Sequence, residues 1–121
     1  MARLIANQIM PAAGAGIELV NDGVVHYGLG ATVFDYQEKL MFVICTITAA
    51  PGNLLVWVEL SLDGTNYAML GAATNVGATG NVVLPWTSNS VFARLGVQCG
   101  GAGVAAFWSV QGWISAGRGL S

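Results

Sequence analysis

Charge is what this sequence has least of. Charged residues make up 8% of its 121 positions, against roughly 25% in ordinary soluble domains. Only Arg3, Lys39, Arg94 and Arg118 are positive. Four scattered cations build no basic patch, and phosphate backbones need clustered Lys and Arg. Direct nucleic-acid binding is therefore set aside. Long hydrophobic runs are missing too. Apolar stretches reach about ten residues before Thr, Gly, Pro or Asn interrupts them, whereas a spanning helix needs about 20. A transmembrane barrel asks for more strands than this length provides. No membrane partner is expected. The opening stretch MARLIANQIMPAAGAG carries Arg3, but Asn7 and Gln8 break its apolar run, so it is not read as a signal peptide.

Groups that carry chemistry are equally sparse. His26 is the single histidine, and no nucleophile motif accompanies it. Asp22, Asp35, Glu38, Glu59 and Asp63 lack calcium-loop spacing. Cys45 and Cys99 are the two thiols. Two sulfurs without another ligand close no structural zinc site. They read either as buried free thiols or as a disulfide, and the sequence leaves both open. No catalytic residue, cofactor or metal is assigned, and a non-enzymatic protein is expected.

What the sequence does have is apolar residues and turns. The hydrophobic fraction is 55%, with 17 glycines. The stretch from Lys39 to Leu70 organises the rest. KLMFVICTIT (39–48) is a strand, Ala49 to Asn53 a breaker, and LLVWVEL (54–60) a second strand. Asp63-Gly64-Thr65-Asn66 is a turn, and Tyr67 to Leu70 resumes an extended pattern.

Both long strands are apolar on two faces. Met41, Val43, Cys45 and Ile47 alternate with Leu40, Phe42 and Ile44. Leu54, Val56, Val58 and Leu60 alternate with Leu55, Trp57 and Glu59. A sandwich covers one face of each strand. The other face needs a cover from elsewhere, which points to a homo-oligomer.

Shorter strands are expected at 17–20, at 24–27 after the Asn21-Asp22-Gly23 turn, and at 80–84 ending at Pro85. Longer ones are expected at 91–99 and 104–115, joined by a Gly100-Gly101 hairpin turn. No long amphipathic helical period exists. The fold class is all-β: an antiparallel β-sandwich or jelly roll of about seven to nine strands. Residues 1–16 form an extended N-terminal arm, and 17–121 a single sandwich domain. Cys45, Trp57 and Cys99 echo the immunoglobulin pattern, but Val97 stands where its tyrosine would be. The strand order stays open.

Candidate interface residues follow from this pattern. Leu4, Ile5, Ile9 and Met10 would pack the arm on a neighbouring subunit. Phe42 lies on the uncovered face of the central strand. Trp57, Glu59 and Arg94 lie on outward faces, and the two charges are placed to pair across a sheet or between subunits. Trp108 belongs to the aromatic set Trp57, Trp86, Trp108, Trp113, Tyr27 and Tyr67. Such residues supply core or interface area, or a sugar platform.

The segment VELSLDGTNYAML resembles a hairpin of small β-sandwich virion proteins of tailed bacteriophages, through Ser61, Asp63, Gly64, Thr65, Asn66 and Tyr67. The resemblance implies a capsid decoration or cement protein on the capsid surface. It would often be trimeric, with the major capsid protein or another virion protein as partner. A tail or head-fibre component and a carbohydrate or cell-surface binding module are the alternatives.

Overall fold

The structure is a computed structural model, and it describes residues 4–10, 16–20, 23–34, 36–47, 54–76, 79–100 and 107–117. Among them every regular element is a strand: β1 (Leu4–Met10), β2 (Ile17–Val20), β3 (Val25–Tyr27), β4 (Ala31–Thr32), β5 (Glu38–Ile47), β6 (Leu54–Ser61), β7 (Ala68–Met69), β8 (Thr74–Val76), β9 (Gly80–Trp86), β10 (Phe92–Cys99) and β11 (Phe107–Gly117). The expected turn residues Asn21, Asp22 and Gly101, the 49–53 breaker and residues 104–106 lie outside the described residues, as do Asp35, Arg118 and most of the 1–16 arm's ends.

Two antiparallel sheets form. The first has the order β1-β11-β5-β9, with β2 also on β11. The second has the order β3-β10-β6-β7, with β4 on β10 and β8 on β6. Three of these edges are interrupted strands. β1 and β2 meet successive parts of β11, β3 and β4 successive parts of β10, and β7 and β8 successive parts of β6. Counting each interrupted pair as one track gives eight tracks in two four-track sheets, ordered 1-8-3-6 and 2-7-4-5. That winding is a jelly roll, which closes the choice the sequence left open.

The alternation expected in the long strands places the core. Met41, Val43 and Cys45 on β5 face Leu54, Val56 and Val58 on β6, with Leu95 and Val97 on β10 and Val110 and Ile114 on β11, all at most 3% exposed. Cys45 and Cys99 are both buried as free thiols, and burial pushes the Cys45 thiol up to about 11. β1 is extended, and it lies along β11 of its own chain. A register shift between Gln8 and Met10 turns two consecutive side chains inward. Ile9 and Met10 are consequently buried at 5% and 2%.

Three local expectations change. The strands on either side of the expected Asn21-Asp22-Gly23 turn do not pair with each other, because β2 and β3 belong to different sheets. The same is true after Gly100: β10 and β11 lie in opposite sheets, so they do not pair as the expected hairpin. Jelly-roll winding forces both. Pro85 does not end its strand. β9 runs through it to Trp86, with Pro85 opposite Leu40. Among the described residues β9 pairs only with β5, and an edge strand tolerates a missing N–H on its outward side.

Candidate functional site

The outward face of the second sheet gathers the aromatic and charged residues. Residues directly opposite in an antiparallel pair share a face. Arg94 lies opposite Glu59, and Gly96 lies opposite both Trp57 and Tyr27. These positions alternate with the core residues of β6 and β10, so their side chains stand together outside the sandwich.

Glycine makes the arrangement possible. A Cβ at Gly96 would meet the Trp57 ring at 2.3 Å. Only a bare backbone lets the indole lie flat across β10, and Trp57 is 5% exposed as a result. From there its Nε1–H donates to Glu59 Oε2 at 2.8 Å. Arg94 donates to the other carboxylate oxygen, Oε1, from Nε at 2.9 Å and from a terminal nitrogen at 2.7 Å. The Arg94 guanidinium sits between two rings, 3.8 Å from the centroid of Tyr27 and 4.0 Å from that of Tyr67. This is a stacked cation with its counter-ion in plane. Both Glu59 oxygens are engaged, Oε2 by Trp57 and Oε1 by Arg94. The cluster fixes the β6–β10 register and presents the tyrosine rims, Tyr27 being 47% exposed.

The Ser61–Tyr67 loop closes the hairpin between β6 and β7. Asp63 Oδ1 accepts from the backbone N–H of Thr65 and of Asn66, both at 2.8 Å. Its Oδ2 accepts from Asn66 Nδ2 at 2.7 Å. The Ser61 hydroxyl donates to Asp63 Oδ1 and accepts from the Gly64 N–H. Gly64 has φ of +80°, which favours glycine. The backbone N–H bonds of Asn66 and Thr65 hold the exposed Asp63 carboxyl far below the usual carboxylate range. Local bonding thus accounts for the motif from Ser61 to Asn66, and Tyr67 packs on Arg94.

The outward face of the first sheet is different in kind. Trp113, Phe42 and Val83 lie side by side on β11, β5 and β9, and Leu40 and Ile44 flank Phe42 on β5. Phe42 and Trp113 are half-buried and Val83 is 49% exposed. Gln111 accepts the Trp113 indole N–H at 3.1 Å. From Leu40 to Ile44 on β5, and on the β9 and β11 residues opposite them, no charged side chain stands on this face.

The residues singled out from sequence therefore divide. The structure brings Trp57, Glu59 and Arg94 together within one chain and places Phe42 on the other sheet's open face. Ile9 and Met10 are buried in this chain's own core, because β1 pairs with β11. Leu4, Ile5 and Trp108 lie on β1 and β11, and their side chains are outside the described residues. Tyr27 and Tyr67 were legible only as members of the aromatic set, since their distances from Arg94 in sequence hide the stack. Gly96 carried no signal apart from its place opposite Trp57's strand.

No protein-family model matches the sequence, and no curated protein matches it. Solved structures do match its fold. A chain of infectious bursal disease virus, Gx strain, aligns with a TM-score of 0.62 at 12% identity, over 99% of this chain and 33% of that one. A chain of Bacillus endospore appendages, which form disulfide-linked pili, aligns with a TM-score of 0.54 at 7% identity, over 100% of this chain and 92% of the other. A family 16 carbohydrate-binding module aligns with a TM-score of 0.50 at 17% identity, over 85% and 79%. The chain spans about a third of the length of the viral chains it matches. At such identities the shared property is the fold alone.

Proposed function

We propose that this chain is a non-enzymatic structural protein of a virion, in a capsid decoration or minor capsid role. The observation that carries the reading is a jelly roll whose first sheet turns an uncharged row, Trp113–Phe42–Val83, outward. Such a face is stabilised by burial against another subunit, at roughly 25 cal/mol per apolar square ångström before ordering costs. The likeness to the VP2 subviral particle of infectious bursal disease virus, with a TM-score of 0.62, supports a virion setting. It does not single out tailed bacteriophages, so the phage decoration role rests on the Ser61–Tyr67 resemblance. The partners in this reading are further copies of the chain, as a trimer or other closed ring, and a major capsid protein beneath them on the capsid surface. A tail or head-fibre component would share the same apolar face.

Sedimentation of the purified chain, with imaging of the native particle, tests this. The expected result is a discrete oligomer, and density for the jelly roll on the shell. A monomer at all concentrations, or particles without that density, would overturn it.

A second reading, a glycan-binding module, is favoured by the exposed Tyr27 ring on the second sheet. Retention on immobilised glycans that disappears in Tyr27→Ala would favour it over the virion role.

A further inference from the structure

A sheet edge presents backbone N–H and C=O groups ready to pair with another strand. The two sheets have four edges, and among the described residues three are the interrupted tracks β1–β2, β3–β4 and β7–β8. The fourth, β9, runs unbroken over Gly80–Trp86. Edges are guarded by charge, a bulge or proline. β9 holds no charged residue, its register against β5 is continuous, and its proline stands near one end. Gly80, Asn81, Val83 and Pro85 are exposed, whereas Val82 and Leu84 pack against the core.

Pro85 fixes which groups this edge offers. Antiparallel neighbours alternate between pairs that exchange both backbone hydrogen bonds and pairs that exchange none. Proline has no N–H to exchange, and within an edge strand its nitrogen faces away from the ladder. The Leu40–Pro85 pair is therefore a non-bonded one. By alternation, so are Phe42–Val83 and Ile44–Asn81. The N–H and C=O groups of Asn81 and Val83 consequently point away from β5.

We propose that β9 pairs with β9 of a second copy of this chain, antiparallel about a two-fold axis at Val82. In that register Asn81 lies opposite the partner's Val83, and Val83 opposite the partner's Asn81. Every outward N–H and C=O of these residues then finds its complement. The occupant is a second copy because the edge complements itself, which is the condition for a two-fold contact. Pro85 falls opposite Thr79, ahead of the strand, and so stays outside the new ladder. Slid until Val83 meets its own counterpart, the strands would drive the Pro85 ring against the partner's Asn81 carbonyl. On the outer face the row Trp113–Phe42–Val83 continues onto the partner's Asn81 and Ile44, so the two first sheets become one. The pairing goes beyond the virion role and does not depend on it.

The test is oxidative cross-linking of the full chain carrying one added cysteine, resolved by non-reducing electrophoresis. Position 82 lies opposite itself in a non-bonded pair, where Cα atoms stand about 4.5 Å apart, within disulfide range. Positions 81 and 83 meet their own counterparts only diagonally, at about 7–8 Å. Val82→Cys is therefore expected to give about tenfold or more linked dimer than Asn81→Cys or Val83→Cys, although positions 81 and 83 are the more exposed. The wild-type chain, whose two thiols are buried, is the blank. Val83→Pro deletes an outward N–H and no bond to β5. It should weaken self-association in sedimentation about tenfold or more, with the circular dichroism of the fold retained. No linked dimer from Val82→Cys, or more linking at 81 or 83 than at 82, would overturn the proposal. Self-association that resists Val83→Pro but is lost in Phe42→Glu would overturn it too, while leaving the oligomer of the virion reading on the sheet's outer face. If Val83→Pro fails to fold, the order of linking among the three cysteine variants decides alone.

Discussion

Arg94 and Glu59 would count for little as an exposed surface pair. Here Glu59 is 8% exposed and anchored by Trp57 on its other oxygen. Removing the guanidinium leaves a buried carboxylate with one donor, so Arg94→Met should destabilise by about 1.5–3 kcal/mol. Arg94→Lys should recover little of that, because an ammonium offers neither the planar stack between Tyr27 and Tyr67 nor the rigid fork that sets two N–H groups on Oε1. Urea unfolding of the two variants measures the difference, and equal stability of Lys and wild type would refute the stacking argument. Gly96→Ala puts a methyl into the Trp57 ring. A loss of about 1–3 kcal/mol is expected. Partial recovery in the double variant with Trp57→Leu would show that the clash is the cause. The two charges were legible in the sequence as lone charges in apolar strands. Their pairing was one option among several, because register between β6 and β10 is a property of the sheet.

The β6–β7 hairpin depends on ionised Asp63. Its folded-state carboxyl titrates below its unfolded value. The contribution is therefore fully present above about pH 4, the unfolded carboxylate value, and is lost as pH falls below it. Asp63→Asn should flatten that acid limb in a pH series of thermal melts. A limb unchanged in the variant would assign it to another acid. β1 makes a different point. An apolar segment ahead of Pro11 reads as an arm, and sequence offers no way to see that its pairing partner is β11, about a hundred residues later. Because Met10 is 2% exposed, Met10→Ala should cost about 2–5 kcal/mol. Removing residues 1–10 should lower fold stability directly, and calorimetry of the shortened chain checks it. An unchanged melting temperature would return β1 to the role of a dispensable arm.

As a whole molecule, the jelly roll has two unlike outer faces. The second sheet presents a satisfied polar and aromatic network. The first presents Trp113, Phe42 and Val83 with no charge among them. Association is therefore expected through the first sheet. Phe42→Glu, with its fold verified by circular dichroism, should shift the sedimenting species toward monomer by tenfold or more in dissociation constant, the equivalent of about 1.4 kcal/mol. Arg94→Met should leave that constant unchanged once its own fold is verified. The reverse pattern would assign the interface to the other sheet.

The sequence by itself determined the class of fold, the alternating faces of β5 and β6, and the turn at Ser61–Tyr67. Those follow from period-two alternation and local turn chemistry, which act over a few residues. Only the tertiary structure decided the strand order, the enclosure of Ile9 and Met10, the flat seat of Trp57 on Gly96 and the meeting of Arg94 with Tyr27 and Tyr67. Each joins residues far apart in the chain, and nothing in a local pattern says which sheet a strand enters after a crossover.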